Sequence, residues 1–287
     1  MPSSKPTSTN AVPPSTAFVL GGGGLLGASH VGMLRALLED GVQPDVVLGT
    51  SVGAVNGVLL AADPSQRAVD RLAALWGSLS RSGVFAGSII GRVASLARHG
   101  THLHPAEPLH ELLRENLPVT RIEELTVPFQ CVAASIERAG AHWFTTGSIT
   151  DAVAASCAVP GLLPPAAVNG EHFYDGGLVD SIPVGRAMQL GARDIYVLHV
   201  GRVERPLSVP RWPWEVGLVA FEIARRHRFV EAMSNVPDGH RVHVLPAGDP
   251  QTPLVRVRYG DTRRVQQRID AAYAASRQYL ERVRAPR

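Results

Sequence analysis

The sequence has few cysteines, a single lysine and few aromatic side chains. Cys131 and Cys157 are its only cysteines in 287 residues, and two thiols far apart form neither a secreted disulfide framework nor a zinc site. We therefore expect a reducing, cytoplasmic compartment and no metal or cofactor. Long apolar runs are also missing, because Pro160, Pro164 and Pro165 interrupt the best candidate for a membrane-spanning helix.

The charges nearly balance, because 28 Lys and Arg residues stand against 25 Asp and Glu residues for a net charge of +3. So small an excess over this length does not indicate a nucleic-acid partner. The arginines concentrate late in the chain, at Arg225, Arg226 and Arg228 around His227, and then at Arg256, Arg258, Arg263, Arg264 and Arg268. Two interpretations stay open, a solvated helix face or a site for anionic lipid headgroups or phosphate.

Residues 1–15 are rich in Ser, Thr and Pro and lack an apolar segment, so they predict a flexible tail and no secretory signal. From residue 16 onward the pattern becomes strand, glycine turn and helix. An apolar strand at 17–20 precedes a helix at 26–40, and a second strand at 45–48 precedes a helix that ends near residue 62. This β-α-β-α order predicts a parallel sheet.

The alternation continues to the end of the chain. Further strands are predicted at 129–135, 142–146, 172–175, 194–200 and 241–245, and further helices at 68–79, 105–116, 150–158, 213–233 and 262–283. The strand at 142–146 is expected to pair antiparallel with the strand before it. The predicted fold class is therefore α/β, with one domain over residues 16–287, a mainly parallel central sheet and helices on both faces.

The segment Gly49-Thr50-Ser51-Val52-Gly53 matches the pattern Gly-x-Ser-x-Gly. An apolar strand leads into it and a helix leads out, which is the context of a nucleophile elbow. Gly49 and Gly53 allow a sharp turn and let a substrate reach the Ser51 hydroxyl. The alternative is that Ser51 merely caps the helix.

A second glycine-rich turn, at residues 21–24, also admits two interpretations. Gly22, Gly24 and Gly27 match the dinucleotide fingerprint, which expects an acidic residue at the end of the second strand. Asp45 stands at the start of that strand instead. We therefore favour the second interpretation, in which backbone N–H groups of this turn face an oxyanion. Since both glycine turns follow adjacent parallel strands, they should lie side by side.

A nucleophilic Ser51 needs a base, and the chain offers two kinds. One is a late histidine, as in α/β-hydrolases. The candidates of this kind are His199, His240 and His243. The other is Asp175, which ends a strand just before Gly176 and Gly177. An Asp-Gly pair is also common in ordinary turns, where the aspartate binds its own backbone.

Three blocks together resemble the patatin-like phospholipases. In order they are VLGGGGLLGASHVGMLRALLEDGVQPDVVLGTSVGAVNG, AASCAVPGLLPPA and FYDGGLVDSIPV, within residues 18–200. The resemblance implies a catalytic dyad with Ser51 as the nucleophile and Asp175 as the base. The oxyanion hole that it implies is formed by the backbone of Gly22, Gly23 and Gly24.

Two residues depart from the pattern of that family. Leu26 stands where the family usually has Arg or Lys, which removes a charge near the glycine turn and bears on headgroup preference or loop stability. Ser181 stands where the family often has Asn, which puts a supporting hydrogen bond in question and leaves the dyad intact.

The segment 211–228 combines Trp212 and Trp214 with an apolar stretch and the arginine cluster. This composition suits a membrane interface. A core-packing helix with a charged end accounts for the same pattern, and we favour it. Peripheral membrane contact stays a hypothesis.

From the residues and the resemblance together we expect a serine acyl hydrolase of phospholipase A or lysophospholipase type. It would cleave lipid or small acyl esters through an acyl-Ser51 intermediate. One alternative is a Ser–His–acid esterase with His199 or His243 as the base. Another is a non-catalytic lipid- or nucleotide-binding protein that retains the fold, to which Leu26 points.

Overall fold

The computed structural model describes residues 14–82, 107–200, 206–211, 213–248 and 264–284. The tail predicted for residues 1–15 lies outside these ranges except for residues 14 and 15. Outside them too lie Trp212, Arg256, Arg258 and Arg263. The strands are β1 (Thr16–Leu20), β2 (Val46–Thr50), β3 (Phe129–Ser135), β4 (Gly140–Phe144), β5 (Ala166–Val168), β6 (Glu171–Asp175), β7 (Asp194–Leu198) and β8 (Arg241–Leu245). The helices are α1 (Ala28–Glu39), α2 (Val52–Ala62), α3 (Gln66–Ser82), α4 (Glu107–Asn116), α5 (Ile149–Cys157), α6 (Val184–Gln189), α7 (Pro213–Ser234) and α8 (Val265–Arg284).

The strands of the described residues form one eight-stranded sheet, in the order β5-β6-β3-β2-β1-β7-β8 with β4 paired to β3. Strands β3, β2, β1, β7 and β8 run parallel to one another. Strands β4, β5 and β6 are added by antiparallel pairing. The predicted α/β class with a mainly parallel sheet is confirmed, as is the antiparallel pairing of β4 with β3.

Helices cover both faces of the sheet, as predicted. Side chains alternate along β1, so that Phe18 and Leu20 join a large apolar cluster with α1, α2 and α3. Ala17 and Val19 point the other way, into a smaller cluster with α6 and α7. An unbroken apolar strand is buried on both sides in this way only when each face of the sheet is covered by its own layer of helices.

Helix α8 packs closely on α1. A β-carbon at Gly32 of α1 would lie 2.1 Å from the carbonyl oxygen of Ile269 in α8. Only glycine permits this approach without displacing a helix backbone. The C-terminal helix is thereby held against the face of the sheet on which α1 lies.

Two short elements were not predicted from the sequence, β5 and α6. Strand β5 has three residues inside the proline-interrupted run, and α6 has six residues after Pro183. Neither is long enough to show a strand or helix period. The start of the first predicted helix was also misplaced, because Gly24–Gly27 form a 3-10 turn before α1 begins.

The helices of the described ranges were also compared with the length and apolarity that a bilayer requires. None of them is long and apolar enough to cross a membrane.

Candidate active site

Strand β3 brings the carboxyl ends of β2 and β6 together. One edge of β3 pairs with β4 along its length. On the other edge, Val132 pairs with Thr50 at the end of β2. The next residue of β3, Ala133, pairs with Asp175 at the end of β6. Because β2 is parallel and β6 antiparallel to β3, their carboxyl ends meet at this point, and Ser51 follows Thr50 directly.

The turn between β2 and α2 holds Ser51 in a strained backbone conformation. Its φ of 55° and ψ of −127° lie in a region that side chains other than glycine rarely adopt. The backbone N–H of Ser51 donates to Ser156 Oγ at 2.9 Å. The Ser51 side chain makes no hydrogen bond that caps α2. The interpretation of Ser51 as a simple helix cap is therefore wrong.

The glycines of the elbow allow the strand ends to pack closely. A β-carbon at Gly53 would lie 2.0 Å from the carbonyl oxygen of Leu20, and one at Gly49 would lie 2.6 Å from Ala54 Cα. Helix α2 therefore starts directly beside the end of β1, where the other glycine turn begins. The predicted adjacency of the two turns is confirmed, since Leu20 pairs with Gly49.

The first glycine turn passes over Ser51. A β-carbon at Gly22 would lie 3.4 Å from Ser51 Cβ. The Gly22 N–H donates to the carbonyl oxygen of Ser181 at 2.9 Å, so the prediction that it faces an oxyanion is wrong for this arrangement. The N–H groups of Gly23 and Gly24 have no acceptor among the described residues. The N–H groups of Gly23 and Gly24 are therefore the remaining candidates for oxyanion donors.

Asp175 is buried at the end of β6, with 1% of its surface exposed. Its Oδ1 accepts a hydrogen bond from the Gly177 N–H at 2.7 Å. Its Oδ2 has no hydrogen-bond partner among the described residues. A β-carbon at Gly176 would lie 2.1 Å from the carbonyl oxygen of Val132, so glycine is required where the chain turns away. The interpretation of Asp175 as an ordinary turn residue thus applies to Oδ1, and Oδ2 remains available for chemistry.

The Ser51 hydroxyl is near both a carboxyl and a thiol and acts on the pKa of each. Burial raises the pKa of Asp175 to about 6, against the Ser51 hydroxyl and the Gly177 N–H, which lower it. Burial also raises the pKa of Cys157 well above its ordinary value, again with the Ser51 hydroxyl acting in the opposite direction. Ser51 is therefore near Asp175, although Oδ2 has no hydrogen-bond partner among the described residues. Such loose geometry is common in sites without substrate.

A buried polar network supports the two turns from behind. Asn56 Nδ2 donates to the Gly27 carbonyl oxygen at 2.9 Å and to His30 Nδ1 at 3.1 Å. Asn56 Oδ1 accepts from Trp76 Nε1 at 3.1 Å. His30 Nε2 donates to the Leu198 carbonyl oxygen at 3.0 Å. Burial lowers the pKa of His30 to about 4, against this last hydrogen bond, so the imidazole stays neutral and can accept from Asn56.

The late histidines do not serve Ser51 in this structure. His240 bonds a backbone carbonyl at the amino end of β7. His243 stacks on Tyr196 at a centroid distance of 4.8 Å, on the part of the sheet away from β2. His199 lies at the carboxyl end of β7, but no hydrogen bond joins it to Ser51 among the described residues.

The arginine cluster is a solvated helix face only in part, because His227 and Arg228 are exposed and Arg225 and Arg226 are not. The side chains of Arg225 and Arg226 are 7% and 12% exposed, and both form ion pairs with Glu222. Arg228 donates to the carbonyl oxygen of Val179. Helix α7 therefore turns this cluster toward the segment that follows β6, and the interpretation as a solvated face is wrong for Arg225 and Arg226.

Sequence reasoning missed the residues that support the turns, Ser156, His30 and Asn56. A signal for Asn56 was present, since it is the single polar side chain in the apolar helix VGAVNGVLLAA. Nothing in the sequence distinguishes Ser156 from other serines. In the described ranges no group of three His, Cys, Asp or Glu side chains could hold a metal ion.

A family model for the patatin-like phospholipases matches residues 18–188. The chain therefore belongs to the patatin-like phospholipase family. Lysophospholipase NTE1 of Mycosarcoma maydis is 34% identical over 197 residues, which are 66% of this chain and 10% of that protein. The patatin-like phospholipase domain-containing protein ZK370.4 of Caenorhabditis elegans is 32% identical over 191 residues, 65% of this chain and 14% of that protein. The matched part of the chain thus spans a small fraction of these curated relatives.

Solved structures give more distant matches. VipD from Legionella pneumophila matches with a TM-score of 0.47 and 17% identity, covering 95% of this chain and 67% of that one. ExoU in its heterodimeric complex with SpcU, from the type III secretion system of Pseudomonas aeruginosa, matches with a TM-score of 0.43 and 16% identity. That match covers 94% of this chain and 52% of the other.

Replacing Asn56 by Ala should destabilise the protein. The change leaves His30 Nδ1 and Trp76 Nε1 buried without partners, which should cost about 2–4 kcal/mol in the free energy of unfolding. Trp76→Phe removes one donor and keeps most of the ring, so it should cost less, about 1–2 kcal/mol. Urea denaturation measures both changes. An Asn56→Ala protein as stable as the wild type would contradict a supporting role for the network.

Replacing Asp175 by Asn should stabilise the fold at neutral pH. The folded pKa of about 6 lies above the ordinary 3.8, so the folded state binds more protons in this window and stability falls as the pH rises through it. Asn avoids this cost, on the order of 3 kcal/mol above about pH 6, and the advantage should vanish toward about pH 4. Thermal melts across this range measure it. Equal melting temperatures at neutral pH would contradict a carboxylate that burial destabilises.

Proposed function

We propose that this chain is a serine acyl hydrolase that cleaves carboxylic esters of lipids, of phospholipase A or lysophospholipase type. One observation carries the proposal, the meeting of half-buried Ser51 and buried Asp175 at the carboxyl ends of β2 and β6. Membership of the patatin-like phospholipase family supports a lipid ester as the substrate. The lysophospholipases among its relatives support the same substrate class.

In the first half of the proposed reaction, Ser51 Oγ attacks the ester carbonyl carbon. The hydroxyl proton passes to Asp175 Oδ2, the oxygen that has no hydrogen-bond partner among the described residues. The N–H groups of Gly23 and Gly24 donate to the developing oxyanion, and one such donor typically contributes about 3–4 kcal/mol. The N-terminus of α2 adds a favourable potential. Collapse of the intermediate breaks the bond to the alcohol, which leaves with the proton held by Asp175.

In the second half, Asp175 removes a proton from water as the water oxygen attacks the acyl-Ser51 carbonyl. The second intermediate collapses to the free acid, and Ser51 Oγ recovers its proton from Asp175. A base must be ionised to act, and the pKa of Asp175 is raised to about 6. The raised pKa brings the basicity of the carboxylate closer to neutral pH, where general-base catalysis is most efficient. Activity should therefore rise as the pH passes about 6.

The proposal is tested by fluorophosphonate labelling and hydrolysis of a lysophospholipid and a neutral ester. Ser51→Ala should abolish labelling and lower turnover by about 10⁴-fold or more. Asp175→Asn should lower turnover by about 10⁴-fold while the fold is retained. His243→Gln is the matched control, because its ring lies against Tyr196 away from the site, and it should keep labelling and turnover.

Labelling that survives Ser51→Ala would overturn the nucleophile. Full turnover in Asp175→Asn, together with loss in His199→Phe, would favour the Ser–His–acid alternative. A wild-type protein that is folded and yet neither labelled nor active on any ester would favour the non-catalytic binding protein.

We further propose that the protein is cytoplasmic, that residues 16–287 form one domain, and that α7 makes peripheral contact with a membrane surface. Val216, Ile223 and Val230 recur at seven-residue intervals on α7, and each is 55% exposed. An exposed apolar stripe at this spacing suits shallow insertion into the headgroup region. The tryptophans that suggested this contact add no support, because Trp212 and the Trp214 side chain lie outside the described part of the chain.

Charge on the apolar stripe should weaken lipid binding. Ile223→Glu should reduce co-sedimentation with vesicles of phosphatidylcholine and phosphatidylglycerol by about tenfold, since it replaces an inserting side chain by a carboxylate. Val283→Glu is the matched control, because Val283 is also exposed but lies on α8. Equal binding of the two variants and the wild type would contradict contact through α7.

A further inference from the structure

The C-terminal end of α5 contacts both members of the proposed dyad. Ser156, in the last turn of the helix, accepts a hydrogen bond from the Ser51 N–H at 2.9 Å. Ala158, directly after the helix, accepts one from the Asp175 N–H at 2.9 Å. Ser156 and Ala158 are 0% and 1% exposed, a setting of low dielectric constant in which hydrogen bonds are stronger. One helix end therefore holds two residues that come from different strands.

Helix α5 is itself fixed at its other end and along its length. The Ser148 hydroxyl caps the helix by accepting a hydrogen bond from the Asp151 N–H at 3.3 Å. The buried side chains of Ile149, Ala152 and Val153 join the large apolar cluster on the sheet. The last turn of α5 is therefore a firm support for Ser51 and Asp175, because packing and a cap hold the turns before it.

The backbone of Ser51 needs a support on each side. Its carbonyl oxygen accepts hydrogen bonds from the N–H groups of Ala54 and Val55 at 2.8 and 3.3 Å, which fixes the peptide that follows Ser51. The hydrogen bond to Ser156 fixes the peptide that precedes it. A residue with a φ of 55° keeps this strained conformation only where its surroundings over-determine it. Ser156 therefore supplies the constraint on the strand side of the elbow.

Cys157 lies between the two residues that hold the dyad. Burial raises the pKa of its thiol well above its ordinary value, and the charge of Asp175 acts in the same direction. The thiol therefore stays protonated at neutral pH and does not compete with Ser51 as a nucleophile. It also brings no negative charge beside Asp175. The end of α5 can thus position the dyad without adding an ionised group to it.

We propose that Ser156 is a positioning residue of the dyad, whose hydroxyl fixes the backbone of Ser51 so that the end of α5 sets the nucleophile against Asp175. The inference rests on the proposed ester hydrolysis, because Ser156 acts only through Ser51. A shift of about 1 Å between reacting groups can lower a rate about 100-fold. Loss of the Ser156 hydroxyl should therefore slow the chemical step and leave substrate binding unchanged.

Ser148→Ala is the matched control for Ser156→Ala, because each removes a serine hydroxyl that accepts a backbone N–H at one end of α5. Well below the melting temperatures, kcat for a lysophospholipid and the rate of fluorophosphonate labelling should fall about 10- to 100-fold in Ser156→Ala, with KM within about twofold. Ser156→Cys, a weaker acceptor of similar shape, should lie between. An equal fall in the control, a wild-type kcat in Ser156→Ala, or a raised KM alone would overturn the positioning role.

Amide hydrogen exchange of Ser51, followed by NMR, tests the same contact without turnover. Exchange should be about tenfold faster in Ser156→Ala than in the wild type and unchanged in Ser148→Ala, because the lost hydrogen bond protects this N–H. Equal exchange in Ser156→Ala and the wild type would overturn the proposal. Faster exchange confined to Ser156→Ala, in a protein whose wild type cleaves no ester, would sink the proposed hydrolysis and leave the hold of Ser156 on Ser51 standing.

Discussion

The burial of the Asp175 carboxyl group beside Ser51 is the constraint on which the rest of the site depends. Loss of water raises the pKa of this group to about 6, and the Ser51 hydroxyl and the Gly177 N–H oppose that shift. The proposed base is therefore strong enough to act near neutral pH because it is poorly solvated. The same lack of solvation destabilises the fold, so the surrounding backbone must hold the carboxyl group in place.

Backbone approaches that only glycine permits provide this support. The carbonyl oxygens of Leu20 and Val132 lie where β-carbons of Gly53 and Gly176 would stand, so the start of α2 packs on the end of β1, and the turn after β6 packs on β3, backbone against backbone. Behind them, the hydrogen bonds of Asn56 join two helices to the glycine turn. The strained φ of Ser51 is tolerated because these contacts leave the turn little freedom.

Helix α7 directs charged side chains inward and apolar side chains outward. Arg225 and Arg226 are directed inward with Glu222, whereas Val216, Ile223 and Val230 are exposed. A helix of an ordinary soluble core shows the opposite arrangement. One helix thereby carries a buried ion-paired cluster on its inner side and, on its outer side, the apolar stripe proposed to contact the membrane surface.

The local pattern of the sequence determined the elements from β1 to α2, because apolar strands followed by glycine turns and helices are recognisable over short distances. It also made Ser51 and, through the resemblance, Asp175 the candidates for the proposed dyad. The tertiary structure alone decided that Gly22 is engaged by Ser181, that Arg225 is buried, and that His243 lies away from the site. These features depend on pairings between residues distant in the chain, above all the shared edge of β3, and no local period records such a pairing.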